Sequence, residues 1–170
     1  MIIFLIGFMG SGKSTLGRRL AKKLSWEFID MDHFIEEKEG LKVDAMFEKK
    51  GEEWFRKQEQ DLLHSLDPSE NLVVATGGGA PCFGNNMDVM NEKGVTVYLK
   101  MHELSLASRL ENARVVRPLV KNLGPEELLA FIRKKLQERE SFYNRAHCII
   151  KGESVKPDHI IALVFGNNWP

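Results

Sequence analysis

The segment "IIFLIGFMGSGKSTLG", Ile2 to Gly17, constrains the chain more than any other, because an apolar run of strand length passes without a spacer into a glycine-rich turn and then into a helix-forming stretch. Gly7, Gly12, Lys13 and Ser14 are spaced as G-x-x-x-x-G-K-[ST], the P-loop pattern, in which glycines let successive backbone N–H groups turn inward around an anion. The context is the one the mechanism needs, a strand before the loop and a helix N-terminus after it. The pattern assigns the backbone from Gly10 through Ser11 and Gly12 to Ser14 to a β-phosphate. It also assigns Lys13 to the β- and γ-phosphates, the Ser14 hydroxyl to Mg²⁺ and Thr15 to an α-phosphate.

Further apolar runs of strand length are Glu27–Ile29, Leu72–Ala75, Val95–Leu99 and Cys148–Ile150, most of them continuous rather than alternating, as in strands covered on both faces. Amphipathic stretches lie between them: "KSTLGRRLAKKL", "HFIEEKEG", "EEWFRKQEQDLLHSL", "ELSLASRL" and "PEELLAFIRKKLQERESFYNRA", the last opening with Pro125 ahead of two glutamates. Strand alternating with helix predicts an α/β doubly wound domain on a parallel sheet. With 170 residues, 43% of them hydrophobic, the chain has enough material for one domain spanning 1–170. "ENARVVRPLVKNLG", Glu111–Gly124, fits neither pattern and reads as a basic flap over the phosphate site.

The 24 basic and 24 acidic residues cancel, so nothing draws the whole chain to nucleic acid or to an anionic membrane. No apolar run approaches the roughly 18 residues of a membrane span, and the N-terminus lacks the basic flank and cleavage site of a signal peptide, which predicts a cytoplasmic protein. Cys82 and Cys148 have neither a C-x-x-C partner nor a histidine at metal-ligand spacing, and read as two reduced thiols.

Four further groups of residues carry candidate chemistry. Asp30 and Asp32 follow the second strand and, two apart in an extended segment, fall on one face at the end where ligands collect. One would serve the metal's waters and the other a substrate hydroxyl, while Asp32 also stands where a helix N-cap is expected. Arg56 and Glu59 are three apart on a helix, as an ordinary surface ion pair would be. Gly77, Gly78 and Gly79 follow the third strand and suit either a tight turn or close approach of an anionic ligand to backbone. Arg139 and Arg145 share a long helix, and spacing alone does not choose between them.

Taken in order, G-x-x-x-x-G-K-S-T, D-x-D, G-E-x-x-F-R-x-x-E, G-G-G, R-P-L and a late E-R-x-x-x-Y resemble shikimate kinase over nearly the whole chain, from Ile2 to about Cys148. The resemblance implies a fold like that of nucleoside monophosphate kinases. Its sheet would have five parallel strands in the order 2-3-1-4-5, with flanking helices, a substrate-binding region at about 32–60 and a lid at about 111–124. It implies ATP and shikimate as substrates, Mg²⁺ as cofactor, and a monomer. Arg56, Arg139 and the backbone at Gly77, Gly78 and Gly79 would hold the shikimate carboxylate, with Glu59 orienting Arg56. Asp32 would bind the reacting hydroxyl, Asp30 would sit among the outer ligands of Mg²⁺, Arg117 would stabilise the phosphates during transfer, and Arg109 would border the adenine with Lys156 and Pro157 opposite. The sequence departs from the family in the "AP" after its glycines and in the loosely similar "KGESVKPD".

Other readings of the same loop are a gluconate kinase, a nucleoside monophosphate kinase, and a nucleotide-dependent switch. D-x-D, F-R-x-x-E and G-G-G together favour shikimate over gluconate, and no second base pocket is announced. A guanine-reading N-K-x-D segment is missing from the sequence.

Overall fold

β1 (Ile2–Ile6) is buried along its whole length, and its side chains divide between two cores. Ile2, Phe4 and Ile6 join one, Ile3 and Leu5 the other, as the period-two geometry of a strand dictates. Around it the computed structural model, which describes residues 1–113, 120 and 122–166, places β2 (Glu27–Asp30), β3 (Leu72–Ala75), β4 (Gly94–Lys100) and β5 (Cys148–Lys151). All pairings are parallel and the order is β2-β3-β1-β4-β5. Phe4, at the centre, pairs with Val74 on one side and Thr96 on the other.

Helices cover both faces, which is why the strand sequences are continuously apolar. α1 (Lys13–Leu24) and α8 (Pro157–Phe165) close the face of Ile3 and Leu5 with Leu16, Leu20, Ile160 and Ile161. Gly17 lets α1 settle there, because a Cβ at that position would stand 2.5 Å from the Phe28 ring. α2 (Met31–Glu39), α3 (Val43–Lys50), α4 (Glu52–Ser65) and α5 (Asn86–Lys93) pack on the opposite face. α6 (Glu103–Glu111) and α7 (Pro125–Tyr143) join Phe8 in a third apolar cluster beside the P-loop. A short 3₁₀ turn, Ala80–Cys82, follows the three glycines.

The five strands and the 2-3-1-4-5 order agree with the sequence reading. Three helices do not appear in it: α3, α5 and α8. α3 and α5 are eight residues each and have no side-chain N-cap bond, so the usual start signal is missing. α8 begins at Pro157, inside the stretch read as an adenine-side loop. Of Glu111–Gly124, Glu111 ends α6 and Gly124 caps α7, while Arg117 and half of the flap lie outside the described residues.

Candidate active site

The carboxyl ends of neighbouring β1 and β3 release the P-loop and Thr76–Pro81 side by side, the place where open α/β sheets bind ligands. Within the P-loop, Gly7 (φ 143°), Gly10 (φ 81°) and Gly12 (φ 91°) hold backbone that L side chains rarely adopt. Gly12 caps α1 in the left-handed region with no side chain bonded to the first amides, and no acidic residue occupies the first turn. The helix therefore offers unsatisfied N–H groups and the positive end of its dipole to an anion. Lys13 is buried and runs back along the loop, its Nζ donating to the Gly7 carbonyl at 2.8 Å and the Phe8 carbonyl at 2.9 Å.

A hollow of about 970 Å³ opens on the outer side of the loop, walled by Ser11, Gly12, Thr15, Arg109, Lys156 and Pro157. Arg109 Nη1 reaches the Gly10 carbonyl at 3.4 Å and its Nη2 donates to the Glu153 carbonyl, which ties the P-loop to the segment after β5. Of the sequence-predicted nucleotide residues, Ser11, Gly12, Thr15, Arg109 and Lys156 thus line one hollow with Pro157, while Arg117 lies outside the described residues. Arg19, Lys22 and Lys23 also line this hollow. Sequence reasoning missed them because they look like the solvated face of an amphipathic helix.

The two aspartates correct one expectation. β2 stops at Asp30 and α2 starts at Met31, so the pair does not share one face of an extended segment. Asp30, not Asp32, is the N-cap, its Oδ1 accepting the His33 N–H at 3.3 Å. Asp32 lies in the first turn of α2 and lines a second, narrower hollow of about 100 Å³ on the other side of the P-loop. The strand-to-helix bend is what separates the two carboxylates.

That second hollow is built from buried charge. Arg56 Nη1 donates to Glu59 Oε2 at 2.6 Å, with the Arg56 side chain 12% exposed and that of Glu59 0%, so this is no surface pair. Arg139 crosses from α7, its guanidinium 5.6 Å from the Phe8 ring centroid. Arg139 Nη1 and Glu59 Oε1 are both buried without a hydrogen-bond partner among the described residues, a costly state unless a ligand meets one of them. Arg145 pairs with Asp88 on the surface instead, so of the two arginines it is Arg139 that lines the hollow.

Each of the three glycines makes room for a different part of this cluster. A Cβ at Gly77 would stand 2.3 Å from Glu59 Oε1 and 3.0 Å from Asp32 Oδ1, one at Gly79 2.4 Å from Arg56 Nη2. One at Gly78 would press on the Met9 N–H group at 3.3 Å and on Arg139 Nη1 at 3.4 Å. Tyr143, fully buried, donates its hydroxyl to the Gly78 carbonyl at 2.6 Å. The residues Val43, Asp44, Phe47 and Phe55 complete the hollow, and three of the four sit on α3, the helix the sequence did not announce.

Burial pushes the Glu59 carboxyl up from 4.5 to about 7, against the pull of Arg56 and with the help of Asp32. For Arg56 burial acts against the charge, but Glu59 and Glu52 outweigh it and hold the guanidinium above its ordinary value. The arginine therefore stays charged and the carboxyl is the proton-accepting partner. Nearby Cys82 is likewise driven up by burial, to about 11, which favours the thiol over the thiolate.

The P-loop is the partition between the two hollows, with Ser11 and Gly12 on the roomy side and Met9 on the narrow one. A phosphate held by the loop thus lies next to whatever the arginines hold, and this defines a P-loop kinase for a small anionic molecule. Residues 9–166 match the shikimate kinase family, and the chain belongs to it. It is 44% identical over 153 residues to the shikimate kinase of Parabacteroides distasonis, covering 90% of this chain and 88% of that one. Among solved structures, the shikimate kinase of Bacteroides thetaiotaomicron is similar with a TM-score of 0.90 and 39% identity, over 95% of this chain and 96% of the other. The shikimate kinase of Acinetobacter baumannii in complex with shikimate gives 0.86 and 35%, over 99% and 95%.

Proposed function

We propose that residues 1–170 form one kinase domain that transfers the γ-phosphate of ATP to the 3-hydroxyl of shikimate, giving shikimate 3-phosphate and ADP. The observation that carries this is the narrow hollow: two arginines from different helices converge over Gly78 and Gly79, and Asp32 enters from the side of Gly77. An acceptor with a carboxylate at one end and hydroxyls at the other matches that polarity. Arg56 and Arg139 would bind the carboxylate, and Glu59 would fix Arg56. The substrate-binding region is 32–60, with Gly77, Gly78, Gly79 and Arg139 facing it.

On the donor side, amides from Gly10 to Ser14 would hold the β-phosphate and Lys13 would exchange its carbonyl partners for phosphate oxygens. Thr15, Arg109 and Lys156 would bound the rest of the nucleotide. Ser14 and Asp30 offer hydroxyl and carboxylate oxygens, a donor set that suits Mg²⁺. When bound, Mg²⁺ would neutralise phosphate charge. Asp32 would orient the 3-hydroxyl, whose oxygen bonds to the γ-phosphorus as the bond from that phosphorus to the β-bridging oxygen breaks, and would take the hydroxyl proton late. Arg117, in the lid at 111–124, would neutralise charge during transfer. If so, Arg117→Ala lowers kcat with both substrates saturating, and an unchanged kcat removes it from the mechanism.

We read the protein further as a cytoplasmic monomer without nucleic-acid or membrane partners; its net charge is zero, and among the described residues no helix is long and apolar enough to cross a membrane. Gel filtration with light scattering tests the monomer, and a dimer mass would overturn it. The activity is tested by coupled ADP release with shikimate, gluconate, AMP or no acceptor in parallel. Turnover specific to shikimate is expected, and turnover with gluconate alone would reassign the acceptor.

A further inference from the structure

α3 gives the acceptor hollow Val43, Asp44 and Phe47. Val43 and Asp44 stand four and three residues before Phe47, so the three share one side of the helix, while Met46 turns into the core. Glu36 of α2 fixes this helix at its start, Oε1 accepting the Val43 N–H at 3.1 Å and Oε2 the Lys42 ammonium at 2.7 Å. Lys42 is thereby paired, whereas the exposed Asp44 carboxylate makes no hydrogen bond or ion pair among the described residues. Val43, Phe47 and Phe55 belong to one apolar cluster and offer a ligand no polar side-chain atom, which leaves Asp44 as the polar group that α3 brings to the hollow.

An ionised carboxylate accepts hydrogen bonds and donates none. In this hollow it attracts a hydroxyl and repels the acceptor's own carboxylate. Arg56 and Arg139 stand over Gly79 and Gly78, and Asp32 over Gly77, which in the functional reading above accounts for the carboxylate and the 3-hydroxyl. Shikimate carries two further hydroxyls, on C4 and C5, that do not react. Resting on that reading, we infer that Asp44 is a specificity-determining residue whose carboxylate accepts a hydrogen bond from one of these two hydroxyls. Its charge also opposes a flipped acceptor, because a carboxylate turned toward α3 meets a like charge in place of two guanidinium groups. A hydrogen bond to a charged group is worth about tenfold or more in binding, so an acid of the same shape without that hydroxyl is a poorer acceptor.

The test is kcat/KM for shikimate, 4-deoxyshikimate and 5-deoxyshikimate with wild type, Asp44→Ala and Asp44→Asn. Wild type should prefer shikimate over one of the two analogues by about tenfold, and the analogue that shows the preference names the hydroxyl. In Asp44→Ala that preference should shrink to less than about twofold, while in Asp44→Asn, which keeps an uncharged acceptor, it should stay near threefold. KM for MgATP should change little in either variant. A preference that Asp44→Ala leaves intact for both analogues overturns the assignment, and a lower Tm beside intact preferences would make Asp44 a charge that merely steadies the start of α3. A wild type indifferent to both missing hydroxyls overturns it without any variant. Wild-type protein without any shikimate-dependent turnover would instead remove the functional reading, and this role with it.

Discussion

The two hollows on either side of the P-loop are built by different means. The wide one is shaped by backbone and by exposed cations, with Arg109 stapling one loop to another. The narrow one is a nest of charged side chains over glycine, with Glu59 wholly buried and Arg56 nearly so. Phosphates are common to every nucleotide, and a ring of amides suffices for them. Telling one small acid from another needs fixed, desolvated charge at set distances, because an unpaired buried group penalises the wrong ligand more than a paired one rewards the right one. The narrow hollow should therefore tolerate substitution poorly, and the wide one well.

The largest expected effect is at Gly79→Ala. The new methyl would overlap the Arg56 guanidinium at 2.4 Å, and kcat/KM for shikimate should fall about 100-fold or more while ATP affinity holds. Isothermal titration with each ligand separately checks this, and equal loss on both sides would dissolve the contrast between the hollows. Arg56→Lys keeps the charge but loses the fork, so KM for shikimate should rise roughly 10- to 30-fold with KM for ATP spared.

Glu59→Gln sharpens the contrast through pH. A carboxyl raised in the folded state to about 7 from 4.5 binds more protons folded than unfolded between those values. Its contribution to stability is therefore full below the lower value and is lost as pH climbs through the upper. Wild type should lose about 2–3 kcal/mol relative to Glu59→Gln between pH 4.5 and 7.5. Denaturant melts of both proteins at each pH measure it, and parallel curves would mean that Glu59 is ionised throughout. The smallest effect is reserved for the wide hollow. Arg109→Ala should raise KM for ATP about threefold and leave that for shikimate alone; a tenfold rise would show a nucleotide side as exacting as the acceptor side.

The same contrast governs how much of the molecule could be read from its sequence. β1, the P-loop and α1 were legible because strand, glycine spacing and helix are contiguous and each explains the next. The strands were found to within about two residues, since burial on both faces writes itself as unbroken apolar runs. By spacing alone Arg56 and Glu59 were visible only as an i,i+3 pair, because nothing local reveals that the β-sheet side of α4 is dry, and their role came from the motif they share with the family. The bend after Asp30 was invisible for a related reason: an aspartate two residues from another looks alike in a strand and at a helix start. α3 escaped notice between Gly40 and Gly51, and with it Val43, Asp44 and Phe47 went unseen.

The nesting of charge over glycine also has a consequence for how the acceptor side could change over generations. Gly77 faces Glu59 and Asp32, Gly78 faces Arg139, and Gly79 faces Arg56, each within 3.4 Å of where a Cβ would be. A new side chain at Gly77 or Gly79 collides with a charged partner, and one at Gly78 crowds the Met9 N–H group beside Arg139, whereas trimming a charged partner first strands the carboxyl or guanidinium it supports. Single steps are unfavourable from either direction, so a new acceptor preference would have to arrive through paired replacements, and the intermediates between old and new specificity would be poorer enzymes than both ends.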